Sequence, residues 1–256
     1  MKKETGHQIT RGLLIVLAGL LLLALPVSYV LSQGQARYAV LPYRTIVKIE
    51  RSSPRSAFLR TEEITEKLPF SLSDSVSSPV KIGQLERTLS EKIAYLKRVE
   101  VYISPSSRTL NIRATERTPL LRYYRGGQPF FLDEEGVSVP GRVGAAALVP
   151  IATGNLTDSV IASTVYPLAS YLSRSDDYRT FFPFIDVLSG RQVRLYPRVG
   201  DYVFELHGVA TLAEDLSKVP LFYQKIVPQV GADKYRLIKL SYKDQIICTL
   251  REDVDK

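Results

Sequence analysis

The stretch IGQLERTLSEKIAYLKRVEVYISPSSRTLNIRATE (residues 82–116) carries two periodicities in succession. Its first half repeats apolar residues at three- and four-residue steps: Ile82, Leu85, Leu89, Ile93 and Leu96. That spacing predicts an amphipathic helix with one buried stripe, and Glu86, Arg87, Glu91 and Lys92 fall on its polar side. The second half alternates instead, Val99, Val101 and Ile103 with Glu100 and Tyr102, then Leu110, Ile112 and Ala114 with Asn111 and Arg113. Ser104 to Ser107 turn the chain between the two runs, so a half-buried β-hairpin follows the helix.

Upstream, Ile46, Val47 and Ile49 between Tyr43 and Arg51 read as a strand closed by Ser52, Ser53 and Pro54. Thr61 then caps a short helix reaching Lys67, with Glu62 and Glu63 in the first turn, where acids suit the helix dipole, and Pro69 ends it. A serine-rich loop, residues 71–79, leads into the quoted stretch. Strand, two helices and hairpin make a βααββ unit with both helices on one face of a three-stranded sheet.

Further upstream, residues 12–31 contain twenty positions without a charge. As a helix they measure about 30 Å, the thickness of a bilayer's hydrocarbon core, so one transmembrane helix is expected there. Pro26 inside the run should kink it without breaking it, because a chain leaving the helix in lipid loses its backbone hydrogen bonds. Lys2, Lys3 and Arg11 against the single acid Glu4 place the N-terminus in the cytoplasm and the bulk of the chain beyond the membrane. The competing reading is a cleaved signal peptide, with Val30 and Ser32, or Gly34 and Ala36, spaced for cleavage. Against it, cleavable apolar cores run to about 15 residues, shorter than this one.

Downstream of the hairpin, Tyr123, Tyr124, Phe130 and Phe131 flank Arg125, Gly126, Gly127 and Gln128, a tight hairpin turn. Asp133, Glu134, Glu135 and Gly136 make a second turn, expected to face water. A helix starting near Asn155 or Thr157 buries Ile161, Val165, Leu168 and Leu172, bent at Pro167. Ile185 and Val187 pair with Val193 and Leu195, and Gly200 and Asp201 lead into Tyr202–His207, a meander of antiparallel strands. A last helix, Val209 to Val227, buries Leu212, Leu216, Val219 and Ile226. Tyr235 to Lys243 then forms a regular strand, which either lies at a sheet edge open to another chain or is central with no free edge. Ile246 to Leu250 can add one more strand before the charged tail, residues 251–256.

A net charge of +8 raises the question of nucleic acid, but the basic residues are scattered among acids and build no recognisable motif. The densest run, Arg37, Arg44, Lys48, Arg51, Arg55 and Arg60, suits a surface beside anionic headgroups. The single cysteine, Cys248, permits no intramolecular disulfide and reads as a small buried hydrophobe. His7 and His207 fall on opposite sides of the expected membrane, so no histidine metal cluster is expected. No GxSxG elbow, SxxK pair or phosphate-binding glycine loop occurs, and the crowded Asp133, Glu134 and Glu135 make a poor acid–base pair. No catalytic residue, metal or cofactor is therefore expected, and surfaces for partners remain.

Several local runs together resemble the bacterial division family FtsQ, called DivIB in other bacteria. They are Glu116-Arg117-Thr118-Pro119, Phe131-Leu132-Asp133-Glu134-Glu135-Gly136-Val137, Val149-Pro150-Ile151 with Gly154, and Lys234 to Tyr242, which follows a Tyr-x-x-Ile-x-Leu-x-Tyr pattern. The ending Lys243 to Cys248 is similar to Bacteroidetes-type members. The resemblance implies an α+β fold: a cytoplasmic tail (1–11), a single transmembrane helix (12–31), a POTRA-like βααββ domain (37–116), and a mixed antiparallel β domain with two flanking helices (117–250). It implies a non-enzymatic divisome scaffold of the inner membrane, sited at the septum, that links early and late division proteins and regulates septal peptidoglycan synthesis. FtsB, paired with FtsL, would add a strand at Tyr235, Ile238, Leu240, Ser241, Tyr242, Lys243 and Asp244. FtsK and the synthase FtsW/FtsI are further implied partners. Where family members carry Arg before the terminal Tyr, this chain carries Ser241. The rival class is a membrane-anchored or secreted envelope enzyme acting on peptidoglycan. A POTRA chaperone feeding an outer-membrane barrel is disfavoured, since one such unit and no barrel strands are present.

Overall fold

A computed structural model describes residues 38–39, 44–51, 56–70, 80–104, 106–142, 145–189 and 191–251. The expected transmembrane helix (12–31), the tail before it, the serine-rich loop (71–79) and residues 252–256 lie outside the described residues. Among the described residues no helix is long and apolar enough to cross a membrane.

The chain forms two compact units. One comprises the described residues up to Lys48 together with Glu62–Lys92 and Val99–Arg113; the other comprises Ile49–Thr61, Ile93–Arg98 and everything from Ala114 onward. In chain order the first elements are β1 (Tyr38–Ala39), β2 (Arg44–Glu50), β3 (Ser56–Ala57), α1 (Thr61–Thr65), β4 (Val80–Lys81), α2 (Ile82–Lys92), β5 (Leu96–Ser104) and β6 (Thr109–Glu116). β5 and β6 form the hairpin that the alternation predicts, and β2 joins β6 to complete a three-stranded sheet ordered β2-β6-β5. The helical stripe holds through Leu85 and Leu89, buried on α2, but the helix ends at Lys92, and Leu96, expected in the stripe, opens β5; Ile64 on α1 and Leu110 and Ile112 on β6 are buried as well. Glu86 is not idle on the polar face: its carboxylate accepts the backbone N–H of Val101 at 2.7 Å, tying the helix to the hairpin.

The second unit adds β7 (Pro119–Arg125), β8 (Gln128–Asp133), β9 (Ser138–Pro140), β10 (Ala146–Ala147) and β11 (Ile151–Gly154). Three helical segments follow, α3 (Asp158–Val160), α4 (Tyr166–Ser173) and α5 (Asp176–Phe181), then β12 (Phe184–Val187), β13 (Gln192–Tyr196) and β14 (Val203–His207). α6 (Leu212–Leu221) and α7 (Val227–Val230) precede β15 (Tyr235–Tyr242) and β16 (Gln245–Leu250). Nine strands make one sheet in the order β16-β15-β14-β13-β12-β11-β7-β8-β9. β7 and β8 join through Gly126 and Gly127 alone, with φ of 56° and 78°, left-handed values that a two-residue hairpin loop needs and glycine supplies without strain.

The meander expected across Ile185–His207 forms, β12 with β13 and β13 with β14 being antiparallel, but the antiparallel domain expected from the sequence also holds three parallel pairs, β7 with β11, β11 with β12 and β14 with β15. The helices read from the sequence explain two of these. A parallel pair needs a crossover of a dozen or more residues, and α3–α5 and α6–α7 are the crossovers of β11–β12 and β14–β15.

Strand register sorts the residues of the sheet onto two faces. Ile185, Leu195, Phe204 and Ile238 form one cross-strand row, and with Val187, Val193 and Leu206 they pack against Val165, Leu168, Leu172, Leu216 and Phe222 of the helices. The row on the other face is Asp186, Arg194, Glu205, Lys239, alternating in sign across four strands. Glu205 anchors it, with Arg194 Nε at 3.1 Å and Lys239 Nζ at 3.9 Å.

Both long helices widen into π segments, at Ile161–Val165 and Phe222–Ile226, and each is followed two residues on by a proline, Pro167 and Pro228. A π turn skips an i→i−4 bond, so a residue lacking N–H is accommodated there, where the sequence alone predicts a bend at Pro167. Asp133, expected to face water, is buried instead. Its carboxylate accepts Glu135 N and Val137 N at 2.9 and 2.7 Å and Arg117 Nη1 at 2.7 Å, closing the β8–β9 turn from inside.

Candidate interaction surface

Of the two readings of Tyr235–Tyr242, edge or centre, the structure shows the second. β15 has β14 on one side and β16 on the other, so among the described residues the free margin of the sheet belongs to β16. The residues expected to receive a partner strand therefore divide. Ile238 and Leu240 are fully buried in the core, and the half-buried Tyr235 packs its ring 6.1 Å from Phe222. Ser241 is turned inward: its hydroxyl donates to Asp215 Oδ2 at 2.7 Å and accepts His207 N at 2.8 Å. Tyr242, Lys243 and Asp244 are exposed at the β15–β16 turn, where Asp244 takes a φ of 55°. Only these three of the seven lie on the surface.

The edge itself is QIICTL, Gln245–Leu250, six residues without charge, proline or glycine. Its apolar side chains alternate in direction, Ile246 and Cys248 packing against the core while Ile247 stays 38% exposed on the other side and Leu250 62% exposed at the end. Burial pushes the Cys248 thiol up, away from thiolate. The opposite margin of the sheet is guarded differently: β9 is three residues long, ends in Pro140, and its carbonyl there accepts the Tyr95 hydroxyl.

Beside β16, on the helix side, runs a groove of about 470 Å³ lined by Glu214, Ser217, Lys218, Leu221, Lys225 and Ile226 from the last helix and by Asp244, Gln245 and Ile246. A segment bonded to the β16 margin would point every second side chain into this groove and the others toward Ile247. Leu221 and Lys225 belong to the surface yet escape the sequence reading, which assigns the helix only a buried stripe; Ile226, expected in that stripe, is half-buried and lines the groove. Ile246–Leu250 signals a further strand after a two-residue turn and so a pairing with Tyr235–Tyr242, but not which of the two strands is outermost.

The family model for FtsQ/DivIB, C-terminal related, matches residues 118–249, from the start of β7 through all but the last residue of β16. No curated protein matches the chain.

Proposed function

The chain belongs to the FtsQ/DivIB, C-terminal related family, a family of cell division, and from that premise we propose that it is a non-enzymatic scaffold of the divisome. In this reading it sits in the cytoplasmic membrane through residues 12–31, N-terminus in the cytoplasm and bulk in the periplasm, at the division septum. A POTRA-like domain serves early partners of the FtsK type. The second unit receives a segment of an FtsB-type single-span protein, itself paired with an FtsL-type protein, and through them controls the FtsW/FtsI septal synthase.

The observation that carries the proposal is the unguarded β16 margin beside its groove. Natural sheets blunt exposed edges with charge, proline or short strands, and β9 is so protected; Gln245–Leu250 keeps a six-residue edge without charge or proline. Each added backbone hydrogen bond nets only about 0.5–1.5 kcal/mol, so apolar contacts with Leu221, Ile226 and Ile247 must supply much of the affinity.

The test is recovery of partners by the full chain from envelope extract of its own organism, compared with Ile247→Lys and Tyr242→Glu. Capture of small single-span coiled-coil proteins by the native chain, lost with Ile247→Lys and weakened with Tyr242→Glu, is the expected result. Equal capture by all three removes the edge from the mechanism. Capture by none, with the fold intact, brings forward an envelope enzyme acting on peptidoglycan.

A further inference from the structure

The docking margin is tied to α6 by a buried polar group, one member of which, Lys218, also lines the groove. Lys218, on α6, is buried, and its Nζ donates to the carbonyl oxygens of Leu240 at 2.7 Å and Tyr242 at 2.8 Å. Asp215, one turn earlier and also buried, stands 3.5 Å from that Nζ and accepts the Thr211 and Ser241 hydroxyls at 3.0 and 2.7 Å. Ser241 in turn accepts His207 N.

These bonds meet where the sheet is irregular. The pairing of β15 with β16 runs Ile238↔Cys248 and Lys239↔Ile247, then resumes at Tyr242↔Gln245. Three steps on β15 thus face two on β16, a bulge at Leu240–Ser241. The parallel register of β14 with β15 ends at the same level, Glu205↔Lys239. Beyond it the strand's own partners are replaced by side chains: Lys218 takes two carbonyls and Ser241 takes the His207 N–H. A backbone group left bare at a buried bulge is costly, so these side chains determine whether the bulge forms here or the hairpin slips.

We propose that Lys218, Asp215 and Ser241 are positioning residues that pin this bulge and so set the register in which β16 presents its free margin and its groove to a partner strand. The proposal rests on the docking role of that margin. A slip by one residue would exchange Ile246 and Cys248 with Ile247 and Thr249 between the two faces, moving the apolar contacts away from the groove.

The experiment is amide hydrogen exchange on the full chain as native, Lys218→Met, Ser241→Ala and Ser241→Thr, with binding of the extracytoplasmic segment of an FtsB-type partner measured alongside. Lys218→Met removes both carbonyl bonds; Ser241→Ala is the milder cut should that variant fail to fold, and Ser241→Thr restores the hydroxyl. The expected result is exchange in residues 245–250 about tenfold faster in Lys218→Met and Ser241→Ala, near native in Ser241→Thr, with affinity falling in parallel and the strands at Phe184–Val187 and Gln192–Tyr196 unchanged. Unchanged exchange in residues 245–250, or equal acceleration of those inner strands, overturns the positioning role. If the native chain binds no partner while exchange responds as expected, the positioning stands and the docking role of the margin falls.

Discussion

The Tyr178 hydroxyl donates to the carbonyl oxygen of Leu216 at 3.0 Å, the carbonyl that Pro220, four residues on, cannot bond because it has no N–H. A proline inside a helix normally leaves that acceptor bare; here a side chain from α5 stands in for the missing donor. Tyr178 therefore joins the short helix α5 to α6, and Phe181 and Phe182 beside it pack edge-to-face into one aromatic cluster with Phe204, Phe222 and Tyr223.

Tyr178→Phe should keep the ring packing and lose only this bond. The expected cost is about 1–2 kcal/mol, read as a lower midpoint with unchanged slope in denaturant unfolding. In Tyr178→Phe/Pro220→Ala the alanine N–H can reach Leu216, and much of the loss should return.

Alkaline pH should destabilise the second unit through three tyrosines. Burial pushes the Tyr178, Tyr202 and Tyr223 hydroxyls above the ordinary tyrosine value of 10.0, and in Tyr223 the hydrogen bond with Tyr202 raises it further. The unfolded chain loses these protons first. The stability they confer is present in full below pH about 10 and declines as pH rises beyond it. Thermal unfolding between pH 9 and 11 should show the decline, and Tyr223→Phe should flatten it; an identical slope in that variant excludes this cause.

Glu116 is 1% exposed, and its carboxylate accepts Phe58 N at 3.0 Å, Leu59 N at 3.3 Å and Arg51 Nε at 3.1 Å. Glu116→Ala should cost about 2–4 kcal/mol, because two buried backbone donors and a guanidinium lose their acceptor together. Glu116→Gln should be intermediate, since its one oxygen can serve only part of that set. Urea midpoints rank the three; equal midpoints for Glu116 and Ala at this position would show the bonds to contribute nothing.

The β7–β8 turn offers a conformational test. Gly126 and Gly127 both hold left-handed φ, and a Cβ at either meets nothing within 4 Å, so any penalty is backbone strain. Gly127→Val should cost about 1–2 kcal/mol and Gly126→Asn much less, since Asn tolerates that region. Calorimetric midpoints separate the two.

The local devices are legible in the sequence. The stripe Leu85–Leu89, the alternation of β5 and β6 and the Gly126-Gly127 turn are all made by residues close in sequence. The burial of Asp133 is not legible there, for the opposite reason. Its turn is visible in the chain, but its burial depends on Arg117, which arrives from sixteen residues away.

What the sequence by itself determined is which residues turn inward, because side-chain spacing records the face that each helix or strand must bury. It placed Leu85 and Leu89 on the buried stripe of a helix and expected a further strand after Tyr235–Lys243. Only the tertiary structure decided the lateral order: that β15 is enclosed, that β14–β15 and β11–β12 are parallel, and that β16 holds the free margin. Ladder hydrogen bonds are made by backbone N–H and C=O groups common to nearly every residue, so no side-chain pattern names their partner. The same holds for Ser241, an exposed contact by its place in the motif and an internal bolt once α6 brings Asp215 against it.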